Sequence, residues 1–569
     1  MSIQMAASPI IMSNIIPVSH NNKFIFIGPR RHENHFCFRC FKDRLVEVGL
    51  DKHYMGYDTT DDLNGSEQDI VNEFKKKLAS DIEVPSIYIF NRETYEVEIH
   101  STFKRGDCGG CFYDRVDISH KKAEGGFTKT YLRQETFSSV EGRLEKFKTF
   151  LFSNKTSLIN HLTRAGDSYG TPMVQSEVLY KGISMLSYGR TSTYRKSKYT
   201  SILESMERYA TAFPYSTKDN NPLREEESSL IDLTLTEVMH LCNYNNSQNY
   251  TKNDPIYYQG VEALHKGTEV LIPEQLIYFN SHQVSGEKRY IYESSNGSAL
   301  GSSVDEASLH AMLELFERDA FLATWYGRIP PVRIDLDEIT STKVSYYIEA
   351  LKRKRIKVHL FEISVELKIP TIWVLLEKEN PKEDEMAFYT AAAASFDLED
   401  ALEKALIEAT TAISVFNNMF KRSDFLERKR YLLTHPHMVS ELEDHLLLYS
   451  NKEMKEVLSF ALNTSHSMTD KELTEYYVDY SGQSSKIIKK LQEKILEISP
   501  KAYRATIKNP NLTVTGFVNV KYIVPEMLTM TFGHQNRRVV YSRVEKAINE
   551  KKRGCLNNKW IENTPHPFP

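Results

Sequence analysis

Residues 304–323 constrain the fold of this chain more than any other stretch. Read at 3.6 residues per turn, they predict a helix that is apolar on nearly every side. Its apolar residues are Ala307, Leu309, Ala311, Met312, Leu313, Leu315, Phe316, Ala320 and Phe321. A helix without a polar face has no side suited to water, so we expect it to be buried inside a large domain.

The same helix nevertheless carries three acids, Glu306, Glu314 and Glu317. Helical geometry places them on one stripe, with Glu306 and Glu317 about 20° apart around the axis. Burying carboxylates costs several kcal/mol each unless cations compensate, and Arg318 alone cannot neutralise three of them. Oxygen ligands without His or Cys suit Mg²⁺, which is commonly bound together with substrate phosphates. The alternative is a solvated acidic face with an Arg ion pair.

A second copy of the motif favours the metal. Glu204 and Glu207, followed by Arg208, repeat the Glu-x-x-Glu-Arg spacing on a helix expected over residues 199–213, again among apolar neighbours. Two such helices facing each other would surround a cation with carboxylate oxygens. The sequence therefore predicts a magnesium site beside phosphates, which is a nucleotide site.

Taken in order, these motifs resemble the YcaO family, whose ATP-using fold activates backbone amides. The matching segments are Gly189-Arg190, Thr200-Ser201-x-x-Glu204-x-x-Glu207-Arg208, Ser295-Asn296-Gly297-x-Ala299-x-Gly301, Glu306-Ala307 and Glu314-x-x-Glu317-Arg318-Asp319. The resemblance implies that ATP and Mg²⁺ are bound here, with Mg²⁺ on Glu204, Glu207, Glu314 and Glu317. It further implies phosphate contacts from Arg190 and Arg318, and nucleotide positioning by Asn296 and Glu306.

Length and composition limit the remaining possibilities. At 569 residues the chain is too long for one core, and 41% apolar with 26% charged residues is typical of globular proteins. A net charge of −4 provides no basic field, so nucleic acid is not an expected partner. The start lacks a signal-peptide pattern and no apolar run reaches about 18 residues, so we expect a cytoplasmic protein that does not enter a membrane.

Four of the six cysteines form two pairs, Cys37-x-x-Cys40 and Cys108-x-x-Cys111. Two such knuckles match a closed, tetrahedral Zn²⁺ site, which is structural because it leaves no open position for chemistry. The alternatives are a redox pair or chance, but no thioredoxin-like pattern surrounds the first knuckle. We therefore predict a zinc-binding domain over residues 21–165, after a flexible tail of residues 1–20.

This zinc segment resembles part of the ThiF-like partner subunit that accompanies azoline-forming YcaO enzymes. It has no glycine-rich adenylation loop before the first knuckle, and too few residues precede it for a winged-helix element that recognises leader peptides. We therefore interpret residues 21–165 as a docking scaffold. A separate leader-binding ThiF-like or winged-helix protein is expected to deliver the substrate peptide.

Residues 166–569 form the expected catalytic domain. Strand-like runs alternate there with long amphipathic helices, which predicts a mixed α/β (α+β) fold of the YcaO type. Glu408 lies where the family has a helix near the nucleotide, but Thr411 replaces the Gln that often follows it, so a surface acid is the alternative. Residues 415–510 carry no motif and are interpreted as peripheral support.

The last six residues place prolines at 565, 567 and 569. Alternating prolines hold a backbone extended, so this segment is expected to be a stiff arm; a Pro-rich linker is the alternative. In azoline-forming YcaO enzymes a carboxy-terminal PxPxP arm threads toward the active site, and Pro565, Pro567 and Pro569 match it. The resemblance assigns the three prolines to the catalytic centre.

Together these features predict an ATP-dependent cyclodehydratase that converts Cys, Ser or Thr residues of a ribosomal precursor peptide into azoline rings. Another backbone modification, such as a thioamide or an amidine, and a non-catalytic zinc scaffold are the two alternatives. A flavin dehydrogenase that oxidises the rings is a further candidate partner, and a homodimer is expected.

Overall fold

The computed structural model describes residues 15–32, 35–58, 62–80, 83–106, 108, 111, 133–165, 170–215, 221–244, 250–478, 480 and 484–568. Strands and helices alternate through these residues, which confirms the expected α/β class. None of the helices described here is long and apolar enough to cross a bilayer.

The amino-terminal unit contains a four-stranded antiparallel sheet, ordered β1-β2-β3-β4. Its elements are β1 (Val18–His20), β2 (Phe24–Ile27), α1 (Phe38–Glu47), α2 (Asp51–Met55), α3 (Gly65–Ser80), β3 (Ile87–Asn91) and β4 (Val97–His100). One face of the sheet packs Phe24 and Phe26 against Phe41 and the cysteines. The other face packs against α3 through Val71 and Leu78.

A three-stranded antiparallel sheet, β5-β6-β7, follows. The elements up to residue 285 are α4 (Phe137–Lys146), α5 (Lys148–Leu151), β5 (His161–Arg164), β6 (Met173–Tyr180), β7 (Ile183–Arg190), α6 (Tyr194–Ala212), α7 (Leu235–Leu241), β8 (Tyr258–Ala263), β9 (Thr268–Pro273) and α8 (His282–Ser285). Helix α6 begins earlier than expected because Thr193 caps it, accepting a hydrogen bond from the Lys196 amide at 3.2 Å.

Two five-stranded sheets form the rest of the fold, ordered β10-β17-β16-β8-β9 and β14-β13-β12-β11-β15. Their pairings are antiparallel except for β11 with β15. The remaining elements are β10 (Ser298–Gly301), α9 (Val304–Tyr326), β11 (Val332–Ile334), α10 (Thr342–Arg353), β12 (Ile356–Glu362), β13 (Thr371–Lys378), β14 (Phe388–Ala394), α11 (Leu398–Met419), α12 (Ser423–Thr434), α13 (Leu442–Tyr449), α14 (Ser459–Leu462), β15 (Ser467–Met468), α15 (Asp470–Tyr476), α16 (Ser484–Ile498), β16 (Tyr503–Ile507), α17 (Pro510–Thr515), β17 (Val518–Ile523), α18 (Tyr541–Lys551) and α19 (Asn558–Asn563).

Helix α9 lies between the two five-stranded sheets, against β10 and β17 on one side and β13 and β14 on the other. Leu309, Met312 and Ala323 are completely buried there. This is the burial that its all-round apolar sequence predicts. The helix starts at a Ser303 cap whose Oγ accepts a hydrogen bond from the Glu306 amide at 3.2 Å.

Two glycines of the sequence motifs allow close packing of strand and helix. A Cβ atom on Gly189 would lie 1.8 Å from the Ser197 carbonyl oxygen of α6, and one on Gly301 would lie 2.6 Å from the Ala307 nitrogen of α9. Any side chain at either position would push the helix away from its strand. These glycines therefore set the distance between each acidic helix and its preceding strand.

The amino-terminal unit is joined to the rest of the chain by buried polar contacts. Arg44 Nη2 donates to the Ser157 carbonyl at 2.9 Å, and the Lys181 amide donates to Glu47 Oε1 at 2.6 Å. Lys104 and Asn511 exchange two hydrogen bonds of 2.8 and 3.0 Å. The expected domain boundary at residue 165 lies within a sheet, because β5 before it pairs with β6 after it, and that division stays a proposal.

Candidate active site

The acids of helix α6 are held by backbone amides of neighbouring strands. Glu207 Oε2 accepts a hydrogen bond from the Leu300 amide of β10 at 2.9 Å. Glu204 Oε2 accepts one from the Tyr188 amide of β7 at 3.0 Å, and its other oxygen lies 2.9 Å from Arg208 Nη2. Glu207 is thereby directed toward the strand that leads into α9.

The acids of helix α9 meet them from the other side. Glu317 Oε2 accepts a hydrogen bond from the Ala394 amide at the end of β14, at 2.9 Å. Glu314 lies one turn earlier on the same helix, and its charge raises the pKa values of both Glu207 and Glu317. The two Glu-x-x-Glu motifs, far apart in sequence, thus contribute carboxylates to one shared space.

Burial dominates the electrostatics of this space. It raises the pKa of Glu207 to about 8, with a further contribution from the charge of Glu314. Burial likewise raises the pKa of Glu317 to about 8 and that of Glu314 to about 7, despite the attraction of Arg318. Carboxyls that resist ionisation beside one another are suited to a divalent cation, which would compensate several charges at once.

The cluster of carboxylates formed by Glu204, Glu207, Glu314 and Glu317 is accessible to solvent where α6, β7 and α11 meet. The side chain of Glu204 is 27% exposed, and those of Arg190 and Glu408 are 30% and 34% exposed. Arg190 Nη1 lies 3.8 Å from Glu408 Oε1. The charge of Glu408 contributes to the raised pKa values of Glu314 and Glu317, so its carboxylate lies near theirs; the position near the nucleotide implied for Glu408 stays a prediction.

Three buried nitrogen donors around the carboxylates have no hydrogen-bond acceptor among the described residues: Arg190 Nε, Arg318 Nε and Asn296 Nδ2. Arg318 Nε lies 3.3 Å from Glu317 Oε1 without hydrogen-bond geometry. Buried donors without acceptors are costly, and guanidinium groups match phosphate oxygens in shape. The donor set therefore fits a triphosphate, and the carboxylates fit its Mg²⁺.

Glu306, on the same stripe, has different partners. Its carboxylate accepts hydrogen bonds from the Ser302 amide at 3.3 Å, the Gln134 amide at 3.4 Å and Arg133 Nη1 at 3.0 Å. These hydrogen bonds of Glu306 stabilise the loop before α9 and connect residues 133–134 to that loop. The nucleotide-positioning role implied for Glu306 stays a prediction.

The proline-rich arm is bound along its backbone. The carbonyl oxygen of Pro565 accepts from Tyr449 Oη at 2.6 Å, that of His566 from His445 Nδ1 at 2.7 Å, and that of Pro567 from Thr390 Oγ1 at 3.3 Å. Residues 565–568 are buried, whereas Pro569 lies outside the described residues. The arm reaches the acidic helix, since the Phe568 ring centroid is 4.3 Å from Arg318 Cζ.

Lys521 is a site residue that the sequence reasoning missed. It is buried on β17, its Nζ donates to the Ser294 carbonyl at 2.8 Å, and it lies 3.6 Å from Glu293 Oε1. With Asn296 and Arg538 it lines a cavity of about 40 Å³. A single lysine within the mostly apolar run at 518–524 was the available signal, because a lysine is rarely buried unless it has a partner.

The four paired cysteines come together in the amino-terminal unit. All four sulfur atoms lie within 4.8 Å of one another, with Cys37 to Cys108 at 3.4 Å and Cys40 to Cys111 at 3.3 Å. Tetrahedral Zn–S bonds of about 2.3 Å require sulfur separations of about 3.8 Å. This value lies between the separation of Cys40 from Cys111, 3.3 Å, and that of Cys37 from Cys40, 3.9 Å. The cluster fits the predicted structural zinc, with Cys40, Cys108 and Cys111 buried.

Comparison with known proteins gives one family and several related folds. The family model for YcaO cyclodehydratases, described as ATP- and Mg²⁺-binding, matches residues 188–528. A relative from Methanothermobacter thermautotrophicus, named only as an uncharacterized protein, is 22% identical over 311 residues, which cover 51% of this chain and 76% of the relative.

Solved structures share the fold at low sequence identity. A heterocyclase in complex with substrate and cofactor has a TM-score of 0.69 and 16% identity, covering 97% of this chain and 78% of its own. The heterocyclase TruD has a TM-score of 0.60 and 15% identity, covering 97% and 75%. YcaO from Methanopyrus kandleri, bound with AMPPCP and Mg²⁺, has a TM-score of 0.51 and 15% identity, covering 75% and 96%.

The family match spans more than half of the chain and includes both Glu-x-x-Glu motifs and the loop between them. The cluster of carboxylates, the buried donors without acceptors and the shared fold agree with this family match. The chain therefore belongs to the YcaO cyclodehydratase family, whose members bind ATP and Mg²⁺.

Proposed function

We propose that this protein is an ATP-dependent cyclodehydratase acting on a ribosomal precursor peptide. A Cys, Ser or Thr side chain of the peptide loses its proton and attacks the preceding backbone carbonyl. The amide oxygen takes the γ-phosphoryl group of ATP, which leaves ADP, and then departs as phosphate. The products are a thiazoline or (methyl)oxazoline ring, ADP and phosphate. Such peptides belong to the thiazole- and oxazole-containing class, which includes bacteriocins and thiopeptide-like antibiotics.

The observation that carries this proposal is the bound arm. Residues 565–568 are buried, anchored by three side-chain hydrogen bonds, and end against Arg318 of the acidic helix. A Pro-rich linker would be solvated instead. The arm favours the azoline-forming branch of the family over enzymes that make a thioamide or an amidine.

The residues of the site supply positioning and charge neutralisation. Transfer of a phosphoryl group to the amide oxygen develops negative charge, and cations held in a desolvated site stabilise it. Glu204, Glu207, Glu314 and Glu317 would hold Mg²⁺, which neutralises phosphate charge. Arg190 and Arg318 would bind phosphate oxygens through donors that have no described acceptor, and Asn296 would orient the nucleotide.

We further propose that the zinc unit is a docking scaffold and that a separate leader-binding protein delivers the peptide. A fluorescence titration of a labelled leader peptide tests this. We expect weak binding to the purified chain alone and tight binding when the partner is added. Tight binding to the chain alone would contradict the proposal.

Intact-mass spectrometry tests the reaction itself. A Cys- and Ser-rich candidate precursor peptide is incubated with the protein, Mg-ATP and the partner. We expect loss of one water per ring, with one ADP and one phosphate released for each. An unchanged peptide mass with ATP binding intact would favour another amide modification, and a sulfide-dependent product would identify a thioamide. Failure to bind ATP would leave only a zinc scaffold.

A further inference from the structure

Phe568 makes a contact that the proline pattern does not explain. Its side chain is 1% exposed, and its ring centroid lies 4.3 Å from Arg318 Cζ. The ring also meets Phe321 at 4.9 Å between centroids, tilted by 63°. Phe568 thus lies between a hydrophobic neighbour and the guanidinium of the acidic helix.

Arg318 is the cation in this contact. Its Nε is 3.3 Å from Glu317 Oε1 but makes no hydrogen bond within the described part of the chain. A guanidinium is planar and donates only from its edges, so a ring stacked on its face would leave the donors free for another ligand. In a desolvated site such a cation–π contact is stronger than at a surface.

The ring is itself held in place. The three residues before Phe568 are anchored through their carbonyl oxygens to Tyr449, His445 and Thr390, which lie on α13 and β14. His566 also donates from Nε2 to the Thr531 carbonyl at 2.9 Å. An aromatic ring on so firmly bound a backbone has little freedom to leave the guanidinium.

We propose that Phe568 is a positioning residue that holds the guanidinium plane of Arg318 against phosphate oxygens of the bound nucleotide. The arm then acts on the ATP site through its aromatic side chain as well as through its prolines. The inference deepens the proposed function and rests on it for the identity of the ligand.

Two replacements of Phe568 distinguish the effect of its aromatic face on Arg318 from the effect of its volume. Phe568→Leu keeps an apolar side chain but removes the ring. Pentafluorophenylalanine at position 568, introduced by amber suppression, keeps the shape of the ring and reverses its quadrupole, which turns attraction for a cation into repulsion. Phe321→Leu is the matched control, because Phe321 packs against the Phe568 ring but makes no cation–π contact with Arg318 among the described residues.

Calorimetric titration with Mg-AMPPCP measures affinity without turnover, and kcat and KM for ATP are measured alongside. We expect both replacements at 568 to weaken AMPPCP binding about tenfold, equivalent to about 1.4 kcal/mol. Loss of kcat should accompany this, and Phe321→Leu should keep wild-type affinity at a similarly reduced Tm.

Wild-type affinity in the pentafluorophenylalanine protein would overturn the inference, as would equal weakening by Phe321→Leu. A wild-type protein that binds AMPPCP but forms no rings would refute the proposed reaction alone, and the affinities would still decide the role of Phe568. Absence of AMPPCP binding by the wild type would overturn the inference itself, since Arg318 would have no phosphate to hold.

Discussion

Three carboxyl groups share a buried space at the centre of this protein, and each holds its proton more tightly than a solvated acid. Their pKa values are raised from 4.5 to about 8 for Glu207 and Glu317 and to about 7 for Glu314, because burial disfavours their charged forms. A carboxyl whose pKa is higher in the folded than in the unfolded state contributes to the stability of the fold. This contribution is fully present below pH 4.5 and is lost as the pH rises through 7 to 8.

Binding of Mg²⁺ should therefore release protons near neutral pH. At pH 7 the carboxyls of Glu207 and Glu317 are largely protonated, and a cation bound by their oxygens displaces those protons. Titration calorimetry in buffers of different ionisation enthalpy measures the number released. We expect at least one proton per ion at pH 7, none well above pH 8, and weaker binding as pH falls.

If the number of protons released per Mg²⁺ ion were the same at pH 7 and well above pH 8, the carboxyls would not be the ligands. Glu204→Gln serves as a comparison, because the side chain of Glu204 is 27% exposed, whereas burial raises the pKa values of Glu207 and Glu317. This variant should weaken Mg²⁺ binding while leaving most of the proton release in place.

Glu317→Gln replaces a buried carboxyl, which ionises when it binds a cation, with a neutral amide of the same shape. The amide oxygen can still accept the hydrogen bond from the Ala394 amide, so the fold should be retained. We expect ATP-dependent ring formation to fall by at least about a hundredfold, since one ligand of the ion is lost. The Tm, measured by differential scanning fluorimetry, should stay within a few degrees of wild type.

Glu237→Gln provides the control for this variant, because Glu237 pairs with Lys501 at the surface, with its side chain 42% exposed. It should leave both activity and Tm unchanged. Full activity in Glu317→Gln would refute the assignment of Glu317 to the metal.

At the scale of elements, the arm and helix α13 are joined by two neutral histidines. The rings of His445 and His566 stack with 4.4 Å between their centroids, and the Phe532 ring makes an edge contact with each of them. His445 donates from Nδ1 to the His566 carbonyl and accepts at Nε2 from the Gly533 amide at 3.2 Å. Both nitrogens of His445 are therefore used by its neutral form.

Burial lowers the pKa of His445 to about 4 and holds that of His566 well below 6.5, with His534 opposing protonation of both. Asp444, which acts in the opposite direction on His445, is itself paired with Arg428 at 2.6 Å. A histidine whose pKa is lower in the folded than in the unfolded state contributes to the stability of the fold while it is neutral. This contribution is fully present above pH 6.5 and is lost as the pH falls toward 4.

Acidification should therefore release the arm. For His445, a pKa lowered from 6.5 to about 4 corresponds to roughly 3 kcal/mol at low pH. We expect Tm and ring formation to fall together below pH 6, and limited proteolysis to cut near residue 563 first. In the double variant His445→Gln/His566→Gln the Tm should be lower at pH 7.5 and should depend less on pH. An unchanged pH dependence in that variant would exclude the histidine pair.

At the scale of the whole molecule, the zinc unit is anchored to the catalytic fold by a buried arginine. Arg44 is 0% exposed and pairs with Glu47 at 2.7 Å, while its guanidinium also reaches carbonyl oxygens of residues 157 and 179. A buried cation that satisfies partners on both sides of an interface resists separation of the two units.

Arg44→Ala should destabilise the protein by about 3 kcal/mol or more, because the carboxylate of Glu47 would stay buried without this partner. Urea denaturation followed by fluorescence measures the loss. Arg39→Ala is the matched control, since Arg39 is exposed on the same helix and should have almost no effect. Zinc content should stay at one ion per chain in both variants, because the cysteines are unchanged; a stability equal to wild type in Arg44→Ala would contradict this account.

Elements whose pattern is local could be predicted from the amino-acid sequence. The all-round apolar run with its acidic stripe predicted a buried helix, which is α9, and the paired cysteines predicted the ligands that lie together in the structure. The alternation at 565–569 predicted an extended arm, because proline restricts its own backbone angle whatever surrounds it.

The partners that these elements contact depend on how the chain folds. Glu306 shares its stripe with Glu317 by helical geometry, yet it contacts Arg133, because the neighbours on each turn come from different parts of the chain. The contact of Phe568 with Arg318 joins residues 250 positions apart, and Lys521 is buried by strands and loops distant in sequence. Spacing along a chain specifies the face of a helix, whereas burial, raised pKa values and shared ligands depend on packing between elements.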